Sequence, residues 1–337
     1  MTTVTPAVDS AQTTSPERRQ LFSERWVRFG LRRAGRLLVS LWVLVTASFL
    51  MIHLIPGDPV RAALGPTAPA DLVESRRETL GLNDPLIVQY WHYLQGLLTG
   101  DFGVSMMSGL PVSQTIAQRL PATLQLAVIA FVLALAIAVP LGVSMAILTR
   151  RGRGRKTELT FTSTSVIISS IPDFLLGVIL VAIFSVGLGW LPVAGRSGPE
   201  SFILPVLALA LGPAAVLSRI MRVEMMGVLD ADYIRTARAK RLPAWVINLR
   251  HALPNAVTAS LTIGGLLLGG LVAGTVLVEN VFAWPGLGST IVSSITTKDY
   301  PMAQATVLVY GVGVLLANTL VDVLLAILDP RSTIGEN

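Results

Sequence analysis

Catalysis needs side chains that can act on one another, and this sequence holds few. Its three histidines, His53, His92 and His251, lie in separate segments, and there is no cysteine. No carboxylate stands at metal-ligand or triad spacing from any of them, so neither a zinc-type ligand set nor a nucleophile–base pair is readable. A G-x-x-x-x-G-K-[ST] phosphate loop is absent, which argues against P-loop nucleotide hydrolysis by this chain. Gly311-Val312-Gly313 lacks the third glycine of a dinucleotide fingerprint and falls inside an apolar run, where it reads as helix packing. The expectation is a chain that is not an enzyme and binds no metal or cofactor itself.

Ionisable groups inside apolar runs are costly, so they are the next candidates. Asp173, in "SSIPDFLLG", follows Pro172 near the middle of such a run. Proline removes a backbone donor and can free a carbonyl to line a cavity. Pro172 and Asp173 are therefore candidates for a path through the membrane; an interhelical hydrogen bond is the competing reading of Asp173. Asp322, near Asn318, is read as structural, and Glu279 is expected at the outer interface. The densest charge lies in "DYIRTARAKRLPAWVINLRHALPN", residues 232–255. Residues 230–240 are expected to form about three helical turns, with Arg235, Arg238 and Arg241 on one cationic side. Thr236, Ala237 and Ala239 are small enough for a partner to approach. Pro243 opens a second short helix expected to end near His251, with Pro254 before the next span. An amphipathic helix held by anionic lipid is the simplest reading of this stretch.

The surrounding elements are apolar. Of 337 residues 52% are hydrophobic and 14% charged, against roughly 25% charged in soluble domains. Six runs reach or nearly reach the roughly 20 residues that cross a bilayer: 37–55, 122–148, 161–188, 202–220, 257–278 and 303–328. They predict an all-α polytopic membrane protein with six transmembrane helices. Of the 26 Lys and Arg, twenty fall before the first run, between the second and third, between the fourth and fifth, and after the sixth. The positive-inside rule then places both termini in the cytoplasm. Net charge +6 is thus a topology signal, and nucleic-acid binding is not expected. The first run is too long for a signal-peptide core and is read as a retained span.

The organisation expected is a cytoplasmic tail 1–36, disordered over residues 1–20, a first span 37–55 and an extracytoplasmic segment 56–121. A core follows at 122–328, with cytoplasmic helices at 230–251, and then a tail 329–337. Within 56–121, "GLNDPLIVQYWHYLQGLLTGDFG" predicts a helix capped by Asn83 or Asp84 and ended by Gly100. Its stripe Leu86, Tyr90, Trp91, Leu94, Leu97 and Leu98 either lies on the membrane surface or docks on the spans. Phe282 and Trp284 in "ENVFAWPGLGS" fit interfacial aromatics. Gly265, Gly269, Gly270 and Gly274 form two G-x-x-x-G pairs for close helix packing, within the chain or with a partner.

The basic stretch resembles a motif of bacterial ABC-importer permeases, E-A-A-x-x-x-G, nine residues, then I-x-L-P. Arg235-Thr236-Ala237 takes the E-A-A place, Arg241 the glycine, and His251-Ala252-Leu253-Pro254 closes the register. "HLIPGDPV", "IPDFLLG", "LPVAGR", "VENVFAWPGLG" and "LVDVLLAILDPR" extend the likeness from about Arg33 to Arg331, and the whole resembles the B-type permease subunit of dipeptide/oligopeptide importers. The resemblance implies a type I ABC importer permease fold in the bacterial inner membrane. It further implies a coupling element, Tyr233, Arg235, Thr236, Ala237, Arg238, Ala239, Lys240, Arg241 and Leu242, seated on an ATPase subunit. Implied partners are a C-type permease forming a heterodimer, two ATPase domains carrying ATP and Mg, and an extracytoplasmic binding protein. The last gives residues 56–121 a docking role. Another cargo on the same scaffold (nickel chelate, glutathione, haem) is the alternative, and an ion-coupled secondary transporter is disfavoured because no inverted repeat is visible and buried carboxylates are few. An intramembrane protease is disfavoured further, because the spans hold no paired Ser and His. Arg241 departs from the motif, because glycine there would permit positive φ.

Overall fold

The computed structural model describes residues 16–54, 58–65, 67–79, 81–152 and 154–328. The expected tail 329–337 and residues 1–15 of the expected disordered segment lie outside them; from Pro16 the chain is helical. Among the described residues twelve α-helices form: α1 (Pro16–Leu54), α2 (Pro59–Leu64), α3 (Ala70–Thr79), α4 (Leu86–Thr99), α5 (Val112–Thr149), α6 (Arg155–Ser170), α7 (Asp173–Leu180), α8 (Ile203–Leu229), α9 (Asp232–Ala239), α10 (Leu253–Val281), α11 (Leu287–Thr296) and α12 (Tyr300–Leu328). The all-helical prediction holds. Among the described residues four segments are long and apolar enough to cross a membrane: Gly30–Met51, Val112–Gly152, Pro199–Leu229 and Tyr300–Val323.

The expected third span is not one rod. Arg155–Ser170 and Asp173–Gly187 meet at 99°, because Pro172 can neither continue the preceding helix nor let residue 171 stay helical. Ile171 is accordingly extended, at φ −81° and ψ 123°. The fifth expected span is α10, which continues without a break from a π-helical turn at Val246–Ala252.

α8 is the centre, packed on α5, α10, α6 and α7. Its contact with α5 follows from residue size. Ala130, Ala134, Ala138, Gly142 and Ala146 recur every fourth residue and are buried, so the two backbones approach closely. At Gly142 an added methyl would come within 2.6 Å of the Met221 side chain. Towards the end that carries residues 280–300, the core is built on Trp284 and Phe282 with Leu126, Leu204 and Leu209. At the basic end Met221, Met225 and Leu229 pack with Ile234 and Ile247.

Two expectations for the non-basic end change. Phe282 and Trp284 are buried, not interfacial; Phe202 meets Trp284 edge-on at 4.6 Å and Trp284 Nε1 donates to the Ala122 carbonyl at 3.2 Å. Burying an indole requires such an acceptor, and α5 supplies it. Helix α4 ends at Gly100 in the left-handed conformation, but neither Asn83 nor Asp84 caps its start through a side chain. Gln89 Nε2 instead reaches back to the Asp84 and Leu82 carbonyls. α4 docks on α1 through Tyr90 and Tyr93, which flank Phe49, and Tyr90 also pairs with Thr46 at 2.9 Å. Leu86, Trp91 and Leu98 of the expected stripe point away and are exposed, as is Ile87.

Candidate functional site at the basic end of the bundle

Four helix ends meet here, and charge-assisted hydrogen bonds join them. Arg222 of α8 donates through Nε to Thr149 Oγ1 (3.0 Å) and pairs through Nη2 with Glu158 of α6 (2.6 Å). Arg150, just past α5, donates to the Leu229 carbonyl (2.8 Å) and to Asp230 Oδ1 (2.5 Å). Arg238 of α9 donates to the same Leu229 carbonyl at 3.1 Å. The last carbonyls of a helix lack intrahelical partners, so α8 has its end capped by guanidinium groups from both sides. The hydrogen bond from Arg150 holds the Asp230 carboxyl below the usual range. Burial, then the nearby Arg150 and Arg151, lowers the affinity of Arg238 for its proton.

α9 is shorter than three turns and is turned differently from the expectation. Ile234 and Ala237 face the core and Arg238 bends inward, so Arg235, Arg238 and Arg241 do not share a cationic side. Arg235 pairs with Asp232 at 3.2 Å in solvent. Tyr233, Arg235, Thr236, Ala239, Lys240 and Arg241 are exposed, whereas Leu242 is half-buried. The surface open to a partner is thus six of the nine residues named above. Ala237 belongs to the packing beneath it.

The exit from α9 explains Arg241. Leu242 N–H donates to the Ala237 carbonyl (3.3 Å) and Arg241 N–H to that of Arg238 (2.9 Å). These are the two bonds of a Schellman motif, in which the residue between must be left-handed. Arg241 has φ +53°. The bend that glycine would favour is kept, with arginine bearing its strain. Pro243 follows as a helix stop, yet its carbonyl accepts from Val246 and Ile247 (3.0 and 3.2 Å) and starts the next helix. That helix does not end near His251. Pro254 sits in the first turn of α10, and the widened π turn before it, common where an i→i−4 ladder is interrupted, lets Val246–Ala252 run on into α10.

Pro172 caps α7 and Asp173 is its first residue. The half-buried Asp173 carboxylate points between α8 and α10, against Gly212 and Gly274, where added methyls would lie 3.2 and 2.9 Å from its oxygens. No protein hydrogen bond to it is found among the described residues. Of the other paired glycines, a side chain at Gly265 would strike Val321 and one at Gly269 would strike Asn318, both on α12. Gly270 faces open space. Asp322 pairs with Arg33, tying α12 to α1.

Three features escaped the sequence reading. Glu279 is buried rather than interfacial: Thr123 Oγ1 donates to it at 2.6 Å and the Ser289 N–H at 3.1 Å. It thereby caps the start of α11, where orphan N–H groups favour a carboxylate. Asp299 is buried too, accepting from the Ser105 hydroxyl and from Met106 N–H, the latter at 3.1 Å, and so clamps the 100–111 loop. The third is the Ala/Gly row of α5. That row was visible as a four-residue repeat; Thr123 and Ser105, which lie 156 and 194 residues from the carboxylates they bond, were not.

The family described as "Binding-protein-dependent transport system inner membrane component" matches residues 138–334, and its N-terminal counterpart matches residues 26–127. The glutathione transport system permease protein GsiC of Salmonella choleraesuis (strain SC-B67) is 41% identical over 305 residues, 90% of this chain and 98% of that protein. GsiC of Escherichia coli (strain K12) is 40% identical over the same coverage. In fold, the chain is similar to a structure of inward-facing MetNI methionine ABC transporter, with TM-score 0.55 at 18% identity, over 64% of this chain and 97% of that one. With its broken and continuous apolar helices and its short helix beyond the core, the chain belongs to the inner-membrane components of binding-protein-dependent transport systems, as a multi-pass permease subunit of an ABC importer.

Proposed function

We propose that this permease carries small peptides, and that α9 is the element through which ATP hydrolysis on partner subunits drives it. The cargo reading rests on likeness to GsiC over 98% of that protein's length, glutathione being itself a modified tripeptide. Glutathione is therefore the favoured specific cargo within the peptide class. The coupling reading rests on the exposed face Tyr233, Arg235, Thr236, Ala239, Lys240 and Arg241, carried on a helix whose other face is locked to α8. ATP and Mg would reside on the ATPase subunits, and a C-type permease would complete the path, with Pro172 and Asp173 near its bend. Extracytoplasmic binding protein would deliver the cargo, and both termini would be cytoplasmic.

Ala239→Glu tests the coupling. Ala239 is exposed, so this change spares the packing that a bulky group at the buried Ala237 would destroy. In proteoliposomes holding the complete importer, uptake should fall at least about tenfold while the complex stays membrane-inserted. Normal uptake would remove α9 from the coupling path. Mass spectrometry of ligand released from the partner binding protein tests the cargo: di- or tripeptides support the proposal, and a nickel chelate or haem refutes it.

A further inference from the structure

Between Arg238 of α9, the end of α5 and the π turn lies a cavity of about 290 Å³, near the lower end of small-molecule sites (~300 Å³). Arg150, Arg151 and Arg238 line it together with Asn248, over an apolar wall that includes Leu229 and Ile247. Guanidinium groups stay charged at every relevant pH, and among the described residues the one carboxylate bonded to the cluster is Asp230, whose side chain is 66% exposed. Three positive charges thus converge with one negative charge at their edge. Arg150 Nε is buried without a hydrogen-bond partner. Buried donors are almost always satisfied, and this one belongs to a side chain that lines the cavity. The Asn248 amide adds a donor that no protein group takes up among the described residues. Arg151 is held towards the cavity by a left-handed backbone, φ +59° and ψ +34°, a conformation that costs energy for arginine.

We propose that this cavity binds a phosphate-class oxyanion, held by Arg150, Arg151, Arg238 and Asn248. Forked guanidinium donors match phosphate oxygens in geometry as well as charge. The anion would join the end of α5 to α9 and to the π turn, clamping α9 in place. This does not depend on the cargo or on the ATPase partner. The phosphate could be free or borne by a lipid, and both present anionic non-bridging oxygens.

The test uses the purified full chain in phosphatidylcholine nanodiscs, with unfolding followed by tryptophan fluorescence. Inorganic phosphate is titrated against sodium chloride at matched ionic strength. A second arm adds phosphatidylglycerol to the nanodisc without phosphate. Phosphate should raise Tm, and Arg151→Gln should weaken its apparent affinity by about tenfold or more, the loss of one charge-assisted contact. Asn248→Ala is the second variant, in case R151Q does not fold, and should weaken it in the same direction. A rise with phosphatidylglycerol alone, removed by R151Q or N248A, assigns the phosphate to lipid. No rise in either arm, or an equal rise in both variants, overturns the proposal.

Discussion

Replacing Arg241 with glycine should stabilise the α9 corner. A left-handed backbone costs an L-residue roughly 1–2 kcal/mol, and Arg241 adopts it at φ +53° with an exposed side chain in no ion pair among the described residues. Glycine removes that cost but loses about 0.4–1 kcal/mol through the greater freedom of the unfolded chain. The net expectation for Arg241→Gly is a gain of roughly 0.5–1 kcal/mol. Arg241→Val should go the other way, because a β-branched residue tolerates positive φ least. The reporters are the two Schellman amides, Arg241 and Leu242, read by hydrogen exchange of the reconstituted chain. A gain of this size slows their exchange about two- to fivefold when local opening dominates. If glycine leaves the rates unchanged or raises them, or valine is neutral, the left-handed corner is not the conformation this chain uses.

Glu279→Ala should cost about 3 kcal/mol or more, since it strips the acceptor from Thr123 and from the Ser289 N–H in a buried site; thermal unfolding in detergent measures this, and Glu279→Gln should lose less. Gly142→Ala drives a methyl into Met221 and should cost roughly 1–3 kcal/mol by overpacking, read as a lower Tm. Asp230 has its carboxyl held down by the hydrogen bond from Arg150. Its contribution is therefore fully present above the unfolded pKa of about 3.9 and is lost as pH falls through the lower folded value. Limited proteolysis at the 229–232 turn should accelerate below about pH 4, and Asp230→Asn should make cleavage insensitive to that change.

The helices, their apolar faces and their approximate order were legible because hydropathy is local: a run such as 122–148 must bury its backbone polar groups in a helix wherever it lies. Breaks were legible where a residue type forces them, as at Pro172, although the 99° angle between the two pieces was not. Exposure on α9 was misjudged because spacing alone names a face without naming its neighbour. Met225, Leu229 and Ile247 decide that Ile234 and Ala237 turn inward and take Arg238 partly with them. Tyr90 likewise divides the α4 stripe by docking on Phe49.

By itself, the sequence determined a helical membrane chain, its span order, the absence of the usual catalytic constellations and the register that places Arg241 at a glycine position. Tertiary structure alone decided that Glu279 and Asp299 are caged carboxylates, that Trp284 belongs to the core, and that Arg150, Arg151 and Arg238 converge on one cavity. The physical reason is distance along the chain. Propensity and hydropathy act within a few turns, whereas a buried charge is satisfied by whichever donors the packed helices bring within about 3 Å, and those donors come from elsewhere in the sequence.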